Sequence, residues 1–103
     1  MPSTDFSLKR QRKTLGLAQS GMAYRMGLSL RPYQQLELNP DKVRKRHIRL
    51  AESVALDVAL EQNRPELAPA SVRKKAMELA RMIAEENFRR KARDLADIIF
   101  DKG

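Results

Sequence analysis

Few residues of this 103-residue chain could take part in acid–base or nucleophilic chemistry. His47 is its single histidine, and the sequence contains no cysteine. A relay of Ser53, His47 and Asp57 can be drawn, but the three residues fall in one predicted helix, where their mutual geometry is poor for catalysis. No glycine-rich loop that could cradle a phosphate is present. The sequence therefore predicts a protein that is not an enzyme and uses no cofactor, with His47 as a packed or capping side chain.

The acidic residues near the C-terminus stand in pairs but alternate with bases. Glu85 lies next to Glu86, and Asp94 lies three residues before Asp97, and residues 81–97 also hold four arginines and a lysine. Opposite charges three or four residues apart pair along a helix surface. We therefore expect a solvated, salt-bridged face here and not a pair of catalytic carboxylates. Without cysteine, and with no acid four residues from His47, no metal site is expected.

The chain is strongly basic, which favours polyanionic partners, with nucleic acid first and an anionic membrane surface second. It has 21 Lys and Arg against 13 Asp and Glu, for a net charge of +8. Residues 1–39 carry six basic and two acidic residues, and residues 40–62 carry five basic and four acidic residues. Residues 63–103 carry ten basic and seven acidic residues. The excess is thus greatest in the first third of the chain.

The length predicts one compact domain, or one small domain with an appendage, and the expected location is the cytoplasm. A chain of this size can bury one modest core. No apolar run approaches the roughly 18 residues needed to span a bilayer, and residues 1–8 lack the apolar core of a signal peptide. We therefore expect no association with a membrane.

Glycine and proline fall between apolar-periodic segments, which predicts an all-α fold. No hairpin signal or apolar–polar alternation indicates strands. The helices predicted in the first domain, residues 1–62, span residues 7–15, 19–26, 29–38 and 43–62. Gly16 and Gly27 end the first two helices, Ser29 caps the third, and residues 39–41 form a turn. Residues 63–70 are predicted to be a linker, and residues 71–103 a C-terminal helical segment.

Residues 19–37 match what a helix-turn-helix unit requires. The second helix needs a small residue where the third crosses it, and Ala23 stands there. The turn needs a residue that tolerates positive φ, and Gly27 supplies it. Apolar side chains with the spacing that pins the two helices together are Met22, Met26, Leu28, Tyr33 and Leu36. All of these features in register predict a helix-turn-helix motif.

Through these residues the chain resembles the Cro/CI-like, or Xre-type, family of helix-turn-helix regulators, which have a lambda-repressor-like DNA-binding domain. The resemblance runs from about Leu8 to about Leu60. It rests on residues 8–19 (LKRQRKTLGLAQ), Met22–Ala23, residues 27–29 (GLS) and residues 33–37 (YQQLE). It implies a lambda-repressor-like helical bundle that binds a near-palindromic operator on double-stranded DNA as a homodimer and represses nearby genes. The third helix would lie in the major groove.

The resemblance also implies roles for individual residues. The base readers on the third helix would be Leu30, Arg31, Gln34 and Gln35. Arg31 would pair with guanine, Gln35 with adenine, and Leu30 would touch a thymine methyl group. The phosphate contacts would be Gln19, Arg12, Ser29, Lys42, Arg44 and Lys45. Arg12 and Glu37 would form an ion pair that ties the first helix to the third.

The chain departs from the family pattern at three places. Ala18 stands where a polar cap usually precedes the second helix, and Gly21 weakens that helix by about 1 kcal/mol relative to alanine. Residues 38–40 (LNP) replace the common Asn-Gly ending of the third helix. The fourth helix is predicted to be extended at the expense of a separate fifth.

The C-terminal segment exceeds what such a domain needs. Val72, Ala76, Leu79 and Ile83 form one apolar stripe, and Phe88, Ala92, Leu95 and Ile99 form another, five residues out of step. The segment is either two helices broken near Glu86 and Asn87 or one helix with a drifting apolar face. We expect it to dimerise through Leu79, Ile83, Phe88, Leu95 and Ile99.

Two other functions are compatible with the sequence. In the first, the chain is an antitoxin-type protein whose C-terminal segment binds and inhibits a protein partner while the N-terminal domain regulates its own gene. In the second, the chain is an architectural DNA binder with little sequence preference. The operator, the regulated genes and any inducing signal do not follow from the residues.

Overall fold

A computed structural model of the chain describes residues 6–100. All regular structure in this range is helical, with five α-helices, two short 3₁₀ helices and no strand, so the all-α prediction is confirmed. The α-helices are α1 (Leu8–Thr14), α2 (Gln19–Met26), α3 (Leu30–Leu38), α4 (Lys45–Gln62) and α5 (Ala70–Phe100). The 3₁₀ helices are η1 (Pro40–Lys42) and η2 (Pro65–Leu67). None of the helices within residues 6–100 combines the length and hydropathy that a membrane crossing requires.

The ends of α1 and α2 follow from local chemistry. Ser7 caps α1, and its Oγ accepts a hydrogen bond from the backbone N–H of Arg10 at 3.2 Å. Gly27 ends α2 with a φ of 75°, in the left-handed region. The backbone N–H of Leu28 then donates to the carbonyl of Ala23 at 2.9 Å, which closes the last turn of α2. The predicted boundaries of both helices are confirmed to within a residue.

The fourth helix begins at Lys45, two residues after the predicted start at Val43. The 3₁₀ turn η1 occupies the predicted turn region. Val43 and Arg44, which follow it, have an extended backbone and connect it to α4. His47 is buried, and its Nδ1 accepts the backbone N–H of Arg44 at 2.9 Å. Burial lowers the pKa of His47, and the charges of Arg46 and Arg44 lower it further. The neutral imidazole can therefore accept this bond, and the prediction of a packed, capping histidine is confirmed.

One apolar core holds α1 to α4 together. Its buried members are Leu8, Leu15, Met22, Ala23, Met26, Tyr33, Ala51, Val54, Ala55, Val58, Ala59, Leu67 and Ala68. Three alanines on one face of α4 let neighbouring elements approach closely, and α4 contacts α1, α2 and η2. Of the predicted pinning residues, Met22, Met26 and Tyr33 are buried. Residues 63–69 belong to this unit, because Leu67 and Ala68 are buried in its core.

Residues 70–100 belong to a second unit. α5 is one unbroken helix of 31 residues, and none of residues 70–100 is buried. Of the two arrangements compatible with the sequence, the structure has the single helix. The five residues from Ile83 to Phe88 rotate a helix face by about 140°. The two apolar stripes of α5 therefore lie on different faces.

The left-handed turn at Gly27 gives a first prediction. A Cβ at this position would meet no atom within 4 Å, so only backbone strain opposes a side chain. Gly27→Ala should lower the free energy of unfolding by about 1–2 kcal/mol, measured by urea denaturation. Gly21→Ala is the matched control: Gly21 is helical, and its Cβ would lie an ordinary 3.9 Å from Leu17 Cδ2. This change should instead stabilise the chain by about 1 kcal/mol. Equal effects of the two changes would contradict the assigned turn.

Candidate nucleic-acid interface

Glu37 lies at the centre of a hydrogen-bond network that joins α1, α2 and α3. Arg12 of α1 donates from Nε to Glu37 Oε2 at 2.7 Å and from Nη2 to Oε1 at 3.1 Å. The hydroxyl of Tyr33, one turn earlier on α3, donates to Oε2 at 2.5 Å. Gln19, the first residue of α2, donates from Nε2 to Oε1 at 3.0 Å. One carboxylate thus receives four hydrogen bonds from three helices.

At neutral pH Glu37 and Arg12 are both ionised and Tyr33 is neutral. The side chains of Arg12 and Glu37 are only 12% and 4% exposed. Burial by itself raises the pKa of Glu37, but the hydrogen bonds from Arg12, Tyr33 and Gln19 outweigh it and lower this pKa to about 2. The bond to Glu37 raises the pKa of Arg12, and burial raises the pKa of Tyr33. The network therefore joins a carboxylate, a guanidinium and a neutral phenol.

Arg12 and Gln19 are both engaged inside the protein. Arg12 Nη1 donates to the carbonyl of Leu17 at 3.0 Å, so all three guanidinium nitrogens have protein acceptors. Of the two roles assigned to Arg12, the structure contains the ion pair, and the guanidinium is not turned outward toward a phosphate. Gln19 was also assigned to a phosphate, but its side chain lies between Glu37 and Gln34. The second proton of Nε2 and the backbone N–H of Gln19 are left for that role.

An open cleft lies between α3 and the first residues of α1 and α2. The residues that line this cleft are Lys9, Gln19, Arg31, Gln34, Gln35, Glu37 and Leu38. Arg31 and Gln35 are exposed, and Gln34 is half-buried. Leu30, at the start of α3, is 42% exposed. The structure thus brings Arg31, Gln34 and Gln35 to one cleft, with Glu37 at its inner edge.

Sequence reasoning missed Lys9 and the hydroxyl of Tyr33. Lys9 lies exposed in the same cleft as Arg31, and it precedes Arg12 by three residues on α1. That spacing puts Lys9 and Arg12 on one side of the helix, a signal that could have identified Lys9. Tyr33 was predicted only as an apolar contact, although a buried tyrosine hydroxyl needs a hydrogen-bond partner. Glu37, four residues later on the same helix, was the nearest candidate.

Both glutamines of α3 have protein partners. Gln34 Nε2 donates to Gln19 Oε1 at 3.0 Å, which holds Gln34 against α2. Asn39 Nδ2 donates to the backbone carbonyl of Gln35 at 3.0 Å and approaches the side-chain Oε1 of Gln35 at 3.4 Å. The amide of Gln34 is therefore fixed more firmly than that of Gln35.

The other residues assigned to phosphates are exposed at helix starts and turns. Ser29 immediately precedes α3 but makes no capping hydrogen bond, so the predicted position is right and the predicted bond is absent. Lys42 ends η1, Arg44 precedes α4, and Lys45 begins it. Arg44 Nη1 donates to the carbonyl of Asp41 at a long 3.3 Å. A depression lined by Lys9, Leu36, Pro40 and Val43, among others, connects α1 with this turn.

The residues assigned to the dimer interface all lie on α5. Leu79, Ile83, Phe88, Leu95 and Ile99 are between 50% and 74% exposed in the single chain. Because α5 is continuous, Leu79 and Ile83 do not share a face with the other three. The charged surface of α5 carries the ion pairs Arg81–Glu85 at 2.8 Å and Arg90–Glu86 at 3.1 Å, as expected for a solvated face. Within residues 6–100 no three His, Asp or Glu side chains are grouped to hold a metal ion.

The low pKa of Glu37 gives a second prediction. Because the folded pKa of about 2 lies below the ordinary value of 4.5, the wild type should lose stability as the pH falls from about 5 to about 2. The loss should be on the order of 3 kcal/mol. Glu37→Gln should be less stable at pH 7 and should lack most of this dependence, in urea denaturation from pH 7 to pH 2.

Glu61→Gln is the matched control for that experiment. Glu61 also forms a bidentate pair, with Arg25 at 2.9 and 3.0 Å, but its side chain is 53% exposed. Exposed pairs contribute little, so this variant should keep the acid-induced loss of stability. An unchanged pH dependence in Glu37→Gln would show that Glu37 is not the group responsible.

No family model matches the chain, and no curated protein or solved structure is significantly similar to it.

Proposed function

We propose that this chain is a sequence-specific, dimeric DNA-binding transcriptional regulator of the Cro/CI-like type. The supporting observation is the two-sided character of α3. Tyr33 and Glu37 anchor one side of the helix in the protein, while Arg31 and Gln35 stand exposed on a cleft that also contains Lys9. A rigidly held helix with polar, hydrogen-bonding side chains on its free face suits reading in the major groove.

The exposed side chains of α3 are complementary to base edges. The guanidinium of Arg31 can donate two hydrogen bonds to guanine O6 and N7, and the amide of Gln35 can pair with adenine N6 and N7. Leu30 offers an apolar surface to a thymine methyl group. These side chains provide the sequence specificity of the proposed regulator.

Lysine and arginine side chains around α3 provide the sequence-independent part of binding. Lys42, Arg44 and Lys45 lie at the turn before α4, and Lys9 lies in the cleft itself. Ala18 has no side chain that could cap α2, so the first backbone N–H groups of α2 are available to a phosphate. Neutralising several phosphates makes binding strongly dependent on salt.

The proposed mechanism is occlusion of a promoter by a dimer. One copy of α3 covers one half-site, so a near-palindromic operator needs two copies with two-fold symmetry, about one helical turn apart. A dimer bound across a promoter excludes the transcription machinery, which makes repression the favoured outcome.

The C-terminal half of α5 is the surface we propose for the second copy. Phe88, Leu95 and Ile99 share one face, because steps of seven and eleven residues are close to whole turns. Residues 85–100 contain four bases and four acids, so net charge does not oppose self-association there, whereas residues 70–84 contain four bases and one acid. Leu79 and Ile83 lie on another face and are outside this contact.

An antitoxin-type function is the second candidate. It is favoured by the exposed apolar side chains of α5, among them Met77 and Phe88 at 72% and 74% exposure. A protein partner would then cover the apolar residues of α5 in place of a second copy, and sedimentation equilibrium of the full chain separates the two.

Replacing Arg31 tests the reading role of α3. Arg31→Ala should weaken binding to an operator selected from a random oligonucleotide pool by roughly 5-fold to 150-fold, because one bidentate base contact is lost. Salt-sensitive binding to random DNA should remain largely intact in the same titration. Arg25→Ala is the matched control, since it removes an equal charge from α2, where Arg25 pairs with Glu61. Equal losses in both variants, or unchanged specificity in Arg31→Ala, would contradict α3 as the reader.

Sedimentation equilibrium of the full chain tests the dimer. The wild type should be a dimer, and Phe88→Asp should raise its dissociation constant on the order of a hundred-fold or more, because a charge enters an apolar contact. Leu79→Asp, at a similarly exposed position on the other face, should leave the dimer intact. A monomeric wild type with a protease-sensitive α5 would contradict the dimer and support the antitoxin-type function.

A further inference from the structure

The Glu37 network fixes which way the amide of Gln34 points. Glu37 is ionised at neutral pH, and a carboxylate can only accept hydrogen bonds. Gln19 must therefore direct its Nε2 toward Glu37, as it does at 3.0 Å. This leaves Gln19 Oε1 on the far side of the amide, where it can only accept a bond. Gln34 meets that oxygen with Nε2, also at 3.0 Å.

The consequence for Gln34 is a fixed acceptor in the cleft. With Nε2 held against Gln19, its Oε1 is directed away from Gln19, and this oxygen has no hydrogen-bond partner among residues 6–100. Turning the amide over would bring Gln34 Oε1 against Gln19 Oε1, and relieving that repulsion would require Gln19 to turn Oε1 toward the Glu37 carboxylate. The orientation of the Gln19 amide thus sets the orientation of the Gln34 amide.

We propose that Gln34 Oε1 accepts a hydrogen bond from the exocyclic amine of an adenine or a cytosine in the major groove, with Gln19 as the positioning residue. Adenine N6 and cytosine N4 are the donors that bases present in this groove, whereas guanine O6 and thymine O4 are acceptors that Oε1 would repel. This proposal deepens the proposed DNA-binding function and rests on it.

Selection of bound oligonucleotides by the full chain tests the proposal. The wild type should prefer adenine or cytosine over guanine and thymine at one position of each half-site, by roughly 5-fold to 100-fold. Gln34→Met, which keeps the length of the side chain, should abolish the preference at that position. Gln19→Met should weaken it at the same position, although Gln19 itself would touch no base.

The double variant and two controls make the positioning role distinct from a general structural one. Gln19→Met combined with Gln34→Met should lose no more preference at that position than Gln34→Met alone, because the two residues act through one contact. Gln35→Met should change a different position. Lys9→Met should lower affinity at every sequence and change no base preference.

The outcomes separate this inference from the proposed function. A wild-type chain that selects no sequence overturns both. A chain that selects a defined half-site but prefers guanine or thymine at the position affected by Gln34→Met overturns the inference alone. A preference that survives intact in Gln19→Met shows that Gln34 needs no positioning and also overturns it.

Discussion

The arrangement of α1, α2 and α3 depends on the nearly buried ion pair between Arg12 and Glu37. The apolar core brings the helices together, but much of it consists of alanine and methionine side chains, which allow more than one packing. An ion pair with three hydrogen-bonded nitrogens and two shared oxygens accepts only one geometry. Removing one partner would leave a buried charge, which costs about 3–5 kcal/mol. The pair therefore sets the rotation of α3 about its own axis.

That rotation decides which side chains of α3 face outward. Tyr33 and Glu37 are four residues apart and point toward the protein, so Arg31 and Gln35, also four residues apart, fall on the open side. The hydrogen bonds from Gln19 to Glu37 and from Gln34 to Gln19 also fix the orientation of the Gln34 amide. A surface that is ordered before it meets a ligand loses less conformational entropy on binding. In this account one carboxylate serves both the stability of the fold and the specificity of the surface.

Local chemistry made the helical class and most helix boundaries predictable, because Ser7 and Gly27 determine helix ends through bonds a few residues long. The Arg12–Glu37 pair was expected only through the family resemblance, since its partners are far apart in the chain. The role of Gln19 beside Glu37 depends on tertiary side-chain packing and could not be predicted, whereas helical spacing contained a signal for Lys9 and for the hydroxyl of Tyr33. The burial of Leu67 and Ala68 also depends on tertiary packing, whereas the later start of α4 follows from the 3₁₀ turn η1. Apolar periodicity did not decide whether α5 is one helix or two, because a shift in phase between two apolar stripes is compatible with both.

The most direct test of the central claim is a nuclear magnetic resonance titration of the ¹⁵N-labelled full chain with a duplex recovered by selection. Backbone amides and glutamine side-chain amides report separately in such spectra. The account predicts shifts at Lys9, Arg31 and Gln35, together with the side-chain amide of Gln34, while the core around Val54 and Val58 stays unchanged. Shifts confined to α5, or a duplex that perturbs all basic residues equally, would contradict α3 as the DNA-reading surface.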